Sequence, residues 1–178
     1  MLLEIARASI RHGFAHARPL PVDPGGLSPE LAAERASFVT LHSQGRLRGC
    51  IGSARAFRPL AEDIAANAFS SAFEDWRFPP VTSQELRFLS IDLSILTPPE
   101  PIAFTSEEDL AAQLEPGVDG LLIQTQWHRG LFLPSVWDSL PDPAEFLGQL
   151  KLKAGLRLRR PAIGLCAFRF RTECFGET

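Results

Sequence analysis

The chain is poor in the features that most readily identify a protein. Among its 178 residues there are three cysteines, Cys50, Cys166 and Cys174, and no two form a Cys-x-x-Cys pair. An odd count at these spacings argues against both a disulfide framework and a thiolate zinc site. No apolar run approaches the length of a membrane span. The opening "MLLEIARASIRHGF" carries an acid and bases where a signal peptide needs an unbroken apolar stretch. The expectation is therefore a cytoplasmic protein. There is no excess of positive charge: the net charge is −3, which gives no global field for nucleic acid. With 16 arginines and 2 lysines, the basic residues are nearly all arginine, an enrichment that follows from genome composition as readily as from function. No phosphate-binding glycine loop and no Ser-His-Asp order can be read.

What is present is an ordinary globular composition, 45% hydrophobic and 22% charged, enough to bury a core within one domain. Leu2, Ala6, Ile10 and Phe14 recur every fourth residue and predict an amphipathic N-terminal helix. "ARPLPVDPGGLSP" breaks regular structure. "SFVTLH" and "LRGCIG" around "SQGR" read as a β-hairpin, with Arg48 and Cys50 on one strand face and Leu47 and Ile51 on the other. Pro59 opens a helix with Leu60, Ile64, Ala68 and Ala72 as its apolar stripe and Asp63, Asn67, Ser70 and Glu74 as its polar one. "DWRFPPVT" is a loop, Thr82 and Glu85 form a capping box, and "FLSIDLSIL" alternates as a strand.

After "TPPEPI" the plan repeats. Ser106–Leu114 reads as helix, and "GLLIQTQ" with "RGLFLP" as a second hairpin. Asp142, Pro143 and Glu145 start a helix whose apolar face is Phe146, Leu147, Leu150 and Ala154. "AIGLCAFRFR" is a final strand, with Cys166, Phe168 and Phe170 on one side and Arg169 and Arg171 on the other. The order implies an α+β fold, with duplicated β-β-α-β units and mainly antiparallel sheets packed by helices. We expect one domain over residues 1–178 with two lobes, about 1–100 and 101–178.

"SFVTLHSQGRLRGCIGS", "RPLAEDIAANAFSSAFEDWRFPPVTSQEL", "SILTPPEPI", "PGVDGLLI", "RGLFLPSVW" and "FLGQLKLKAGL" together resemble the AMMECR1 family, in order and over nearly the whole chain. Leu47 to Gly52 looks like the family hallmark. The resemblance implies an α+β fold with a duplicated β-α-β unit in two lobes. The family's bacterial and archaeal members are known as AmmeMemoRadiSam system protein A, which implies association with a Memo-like protein and a radical SAM protein. No activity or cofactor follows from it. Where members usually carry Asp-Pro-Arg-Phe, this chain has Asp75-Trp76-Arg77-Phe78. The proline-containing stretch ending in tryptophan that often follows "KAGL" is here "RLRRPAIG".

Within these motifs Cys50 is the candidate catalytic residue, as a nucleophile or covalent carrier. Arg48 can stabilise its thiolate, and His42 on the other arm of the hairpin can face it. The alternative is a small buried apolar residue. Gly49 and Gly52 strip the strand of side-chain cover, so either a ligand or another backbone can approach. Arg48, Arg77 and Arg129 suit a carboxylate or phosphate if they converge, and ion pairs with Asp75, Glu74 or Asp92 if they do not. Lys153 reads as a last-turn helix cation. His12 and His16 have metal-compatible spacing, but Gly13 stands where a zincin needs glutamate, so no metal is expected. "RLRR" with Arg169 and Arg171 is a local basic cluster, and nucleic acid is not indicated. Two functions fit: an enzyme or enzyme component acting on a small anionic molecule at an Arg48–Cys50–Arg77 cleft, or a binding module that presents this hairpin to a partner protein.

Overall fold

In the computed structural model, which describes residues 1–157 and 164–177, the N-terminal periodicity becomes α1, Leu2–His16. A short α2, Pro29–Ala32, follows the broken connector. The hairpin forms as β1, Ser37–Ser43, and β2, Arg46–Gly52, paired antiparallel. Gln44 and Gly45 make the turn, both with positive φ (51° and 73°), the backbone twist that lets a two-residue loop join right-twisted strands. α3 is Leu60–Phe73 and β3 is Leu89–Leu96. β3 pairs antiparallel with β1.

The second sheet begins with β4, Glu100–Ile102, inside the proline-rich stretch that sequence reasoning treats as a break. Then come α4, Glu107–Ala112, β5, Gly120–Gln124, and β6, Arg129–Phe132. α5, Pro143–Lys153, starts where expected, with Asp142 Oδ1 accepting from the Glu145 N–H at 2.8 Å. β7 is Cys166–Phe170. The expected strand's first residues, 162 and 163, and the arginines at 159 and 160 lie outside the described residues. Ala167 and Phe170 are the buried residues of β7, while Cys166 is exposed and Phe168 half-buried; the Phe170 ring lies over Gly120, where no side chain obstructs it. A last strand, β8, Thr172–Gly176, was not legible in the sequence.

The strand orders are β2-β1-β3-β8 and β4-β7-β5-β6. Read from the hairpin outward, β2-β1-β3 and β6-β5-β7 are the same arrangement, so the repeated hairpin-helix-strand plan holds at the level of pairing. The fourth strand of each sheet is exchanged: β4 follows β3 but joins the second sheet, and β8 follows β7 but joins the first. The chain accordingly divides into Met1–Leu96 with the segment from Glu173, and Thr97–Thr172, where sequence reasoning placed a single boundary at 100.

In the first unit, Ala6 and Ile10 of α1, Ile64, Ala68 and Ala72 of α3, and the inward residues of β1 and β3 form one core on one face of the sheet. In the second, Leu121, Ile123, Phe146, Leu150 and Ala167 surround Trp137, whose ring stacks on Phe146 at 3.7 Å.

The polar residues of α3 depart most from expectation. Asp63 and Asn67 are buried rather than forming an outer stripe. Asp63 accepts from the Ser37 N–H (2.9 Å) and hydroxyl (2.6 Å), the Ser53 hydroxyl (3.0 Å), Arg58 Nε (2.8 Å) and Asn67 Nδ2 (2.8 Å). A fully paired carboxylate thus ties α3 to the first strand of the hairpin.

Candidate functional site

The "LRGCIG" strand is irregular where its special residues stand. Leu41 faces Gly49 and His42 faces Leu47, so Arg48 is an extra residue in a β-bulge. The bulge shifts the side-chain alternation. Leu47 opposes His42 and Cys50 opposes Thr40, so Leu47 and Cys50 share the face away from the helices. This corrects the simple alternation that grouped Arg48 with Cys50 and Leu47 with Ile51.

The two glycines of the strand are both at close approaches within the chain. A Cβ on Gly49 would fall inside the carbonyl oxygen of Ser71 in α3, and one on Gly52 would fall inside the Phe38 ring. At Gly49 the helix comes so near that the Ser71 hydroxyl accepts from the Ile51 N–H (2.9 Å) and donates to the Val39 carbonyl (2.8 Å).

β2 is an edge strand, and its free side is closed at Cys50 by side chains. The Cys50 N–H donates to Asp75 Oδ2 (2.9 Å), and Arg77 Nη2 donates to the Cys50 carbonyl (3.1 Å). Arg77 Nε also bonds Asp75 Oδ1 at 2.9 Å. Asp75 and Arg77 therefore supply the acceptor and donor that a neighbouring strand would offer, which blunts the edge. The loop is anchored by Asp75, whose side chain is 2% exposed. Large aromatics are the natural expectation for that anchor, but Trp76 is 90% exposed and Phe78 only half-buried.

Arg48 pairs with Glu85 (Nε to Oε1, 2.9 Å), and Glu85 also closes the predicted capping box by accepting from the Thr82 N–H at 2.8 Å. Each arginine's ion pair leaves a nitrogen over. Arg48 Nη1 is buried without a partner, and Arg77 Nη1 makes no hydrogen bond among the described residues. Arg129 stands on β6 in the second unit.

These pairs set an acid dependence. Hydrogen bonds from Arg77, against the opposing effect of burial, hold Asp75 down at about 2, and hydrogen bonds from Arg48 hold Glu85 at about 2. Folded-state carboxyls depressed in this way stabilise the protein fully above their ordinary range near 4 and lose that contribution as pH falls toward 2. A surface loop position alone predicts a cost under about 0.5 kcal/mol for Arg77→Ala. Charged hydrogen bonds to a buried carboxylate raise this to about 1–2 kcal/mol, tempered by the solvent exposure of Arg77. Urea unfolding of both proteins at pH 7 and pH 2.5 checks it: the difference shrinks at the lower pH. A difference that persists unchanged at pH 2.5 would show that the Asp75 charge is not its source.

On the outer face, the Cys50 thiol is partly exposed and accepts from Thr40 Oγ1 at 3.3 Å. Thr40 in turn opposes Asp92 on β3, and His42 Nδ1 lies 2.9 Å from Asp92 Oδ2. Thr40 carries no signal in the sequence. The roles of Asp63 and Ser71 are also hidden there, because their partners are distant backbone groups. Among the described residues no cluster of three or more metal-ligating side chains occurs, and no helix is long and apolar enough to cross a membrane.

The AMMECR1 family model matches residues 3–175. Among related proteins, one from Methanothermobacter thermautotrophicus is 39% identical over 87% of this chain and 81% of its own length. One from Thermofilum pendens is 37% identical over 100% and 89%. The crystal structure of the uncharacterized protein PH0010 from Pyrococcus horikoshii superposes with a TM-score of 0.88 at 33% identity, covering 99% of this chain and 89% of that one. Matching along nearly its whole length in both sequence and fold, the chain belongs to the AMMECR1 family.

Proposed function

We propose that this protein is an enzyme or enzyme component that uses the Cys50 thiol on a small anionic molecule held by Arg48 and Arg77. The observation that carries the reading is the fixation of residue 50. Its N–H and C=O are both held by the Asp75–Arg77 pair while its thiol stays partly open. Backbone held in this way presents a side chain in one orientation, as a reacting group requires. Arg77, with a side chain 40% exposed, keeps an unpartnered Nη1 as the donor for a carboxylate or phosphate, and the buried Nη1 of Arg48 must be uncovered to add a second. Gly49 and Gly52 frame the strand at this point.

Iodoacetamide labelling with peptide mapping by mass spectrometry tests it. Cys50 in the folded protein should alkylate at neutral pH, and millimolar phosphate or citrate should slow that reaction. Arg77→Ala should abolish the protection. A Cys50 that stays unlabelled until the protein unfolds would overturn the reading.

One observation favours a binding module instead: Trp76, in the same loop, is 90% exposed. An aromatic so placed suits a partner surface, and the partners proposed are a Memo-like protein and a radical SAM protein. Co-purification lost with Trp76→Ala but intact with Cys50→Ser would favour this second reading over the first.

A further inference from the structure

The first sheet carries an imidazole–carboxylate pair that the reading above does not use. His42 and Thr40 lie two residues apart on β1 and so share its outer face with Cys50 and Asp92. His42 Nδ1 stands 2.9 Å from Asp92 Oδ2, and a ring nitrogen that close to a carboxylate carries the proton. Nε2 is then the acceptor, and it makes no hydrogen bond among the described residues. Cys50 is the diagonal neighbour of His42 across the β1–β2 pair. Diagonal neighbours stand roughly 7 Å apart, within reach of an aromatic-sized side chain.

We propose, on the footing that Cys50 is the reacting group, that His42 is its general base and Asp92 the positioning residue that fixes the imidazole tautomer. As the sulfur attacks an electrophilic carbon, the S–H proton passes to His42 Nε2, a new S–C bond forms, and the leaving group departs with the electron pair of the bond it breaks. The arrangement is a thiol, imidazole and carboxylate in a row across three neighbouring strands. That row is a constellation recognised by roles rather than by chain order. The Cys50 N–H is already committed to Asp75, so it is not an oxyanion donor. The geometry therefore favours displacement at carbon, or acyl chemistry whose oxyanion is held by Arg77.

The carboxylate facing His42 is Asp92 of β3. Nearer Cys50, Asp75 and Arg77 from the loop after α3 hold its backbone, and Arg48 pairs with Glu85 at the bulge. From β8, Gly176 packs on Asp92, and Cys174 lies by Ser94.

Iodoacetamide is itself a suitable probe, since its alkylation forms an S–C bond, releases iodide and frees the thiol proton. The rate at Cys50 is measured by mass spectrometry from pH 5.5 to 8 in the wild type, His42→Gln, His42→Ala and Asp92→Asn. An unassisted thiol reacts through its small thiolate fraction, so its rate falls about tenfold per pH unit below neutrality. The wild type should fall less steeply and at pH 6 should react at least about tenfold faster than His42→Gln. Asp92→Asn should lie between, and added imidazole should restore part of the rate in His42→Ala. The side chains of His42 and Asp92 are partly solvent-exposed, and circular dichroism verifies that each variant folds. Equal pH–rate profiles in the wild type and both His42 variants would overturn this inference while leaving anion protection of Cys50, and hence the reading it rests on, intact. A Cys50 inert in every folded variant would overturn both.

Discussion

Gly49→Ala is expected to destabilise the protein by about 3 kcal/mol, at the upper end of the cost of overpacking. The new methyl would meet the carbonyl oxygen of Ser71, which is backbone in α3 and has no rotamer to escape into. To make room, α3 must move off β2. That motion stretches the Ser71 hydroxyl bonds to Ile51 and Val39 and disturbs the buried face through Ile64, Ala68 and Ala72. For a chain of this length the cost corresponds to a fall in Tm of about 6–12 °C. Differential scanning calorimetry measures it. Because helix and bulge move together, Cys50 labelling should also lose its native rate. Alanine tolerated within about 1 kcal/mol would mean that Gly49 is kept for something other than its contact with α3.

Gly49 also shows where the sequence was legible and where it was not. A glycine inside a strand announces a close approach, but it does not say what approaches; here the neighbour is a helix residue twenty-two positions onward in the chain. The hairpin, the helix after Pro59, the alternating strand and the capped α5 were readable because each is written in local periodicity and caps. The bulge at Arg48 was not, since one extra residue leaves no local mark yet reverses which side chains share a face. β4 and β8 escaped because they are short edge strands whose pairing is entirely non-local. At the site, the pairing of Arg77 with Asp75 is local to one loop, whereas its approach to the Cys50 carbonyl, 27 residues away, is set by how that loop lies along the edge of β2. Thr40 and Asp92 join Cys50 and His42 only through register between three strands, which composition cannot supply.

Asp63→Ala should cost about 3 kcal/mol or more, because it leaves several buried donors without an acceptor at once. Asp63 is 1% exposed and receives bonds from the Ser37 backbone and hydroxyl, Ser53, Arg58 and Asn67. Arg58 is partly exposed and can turn to water, which limits the loss. The Ser37 N–H cannot, since Ser37 is fully buried at the start of β1. Asp63→Asn separates the two contributions. Its amide oxygen can still accept from Ser37, but its NH2 replaces one acceptor with a donor among groups that are themselves donors. The expected loss is about 1–2 kcal/mol, the worth of charge-assisted bonds reduced to neutral ones. Chemical denaturation at pH 7 gives both values from the shift in midpoint at constant m. Alanine should be clearly worse than asparagine, and neither should change the second unit, whose core of Leu121, Ile123, Phe146 and Leu150 contains none of these residues. If alanine costs less than about 1 kcal/mol, α3 is held to β1 by apolar burial alone, and the carboxylate is a passenger in the core.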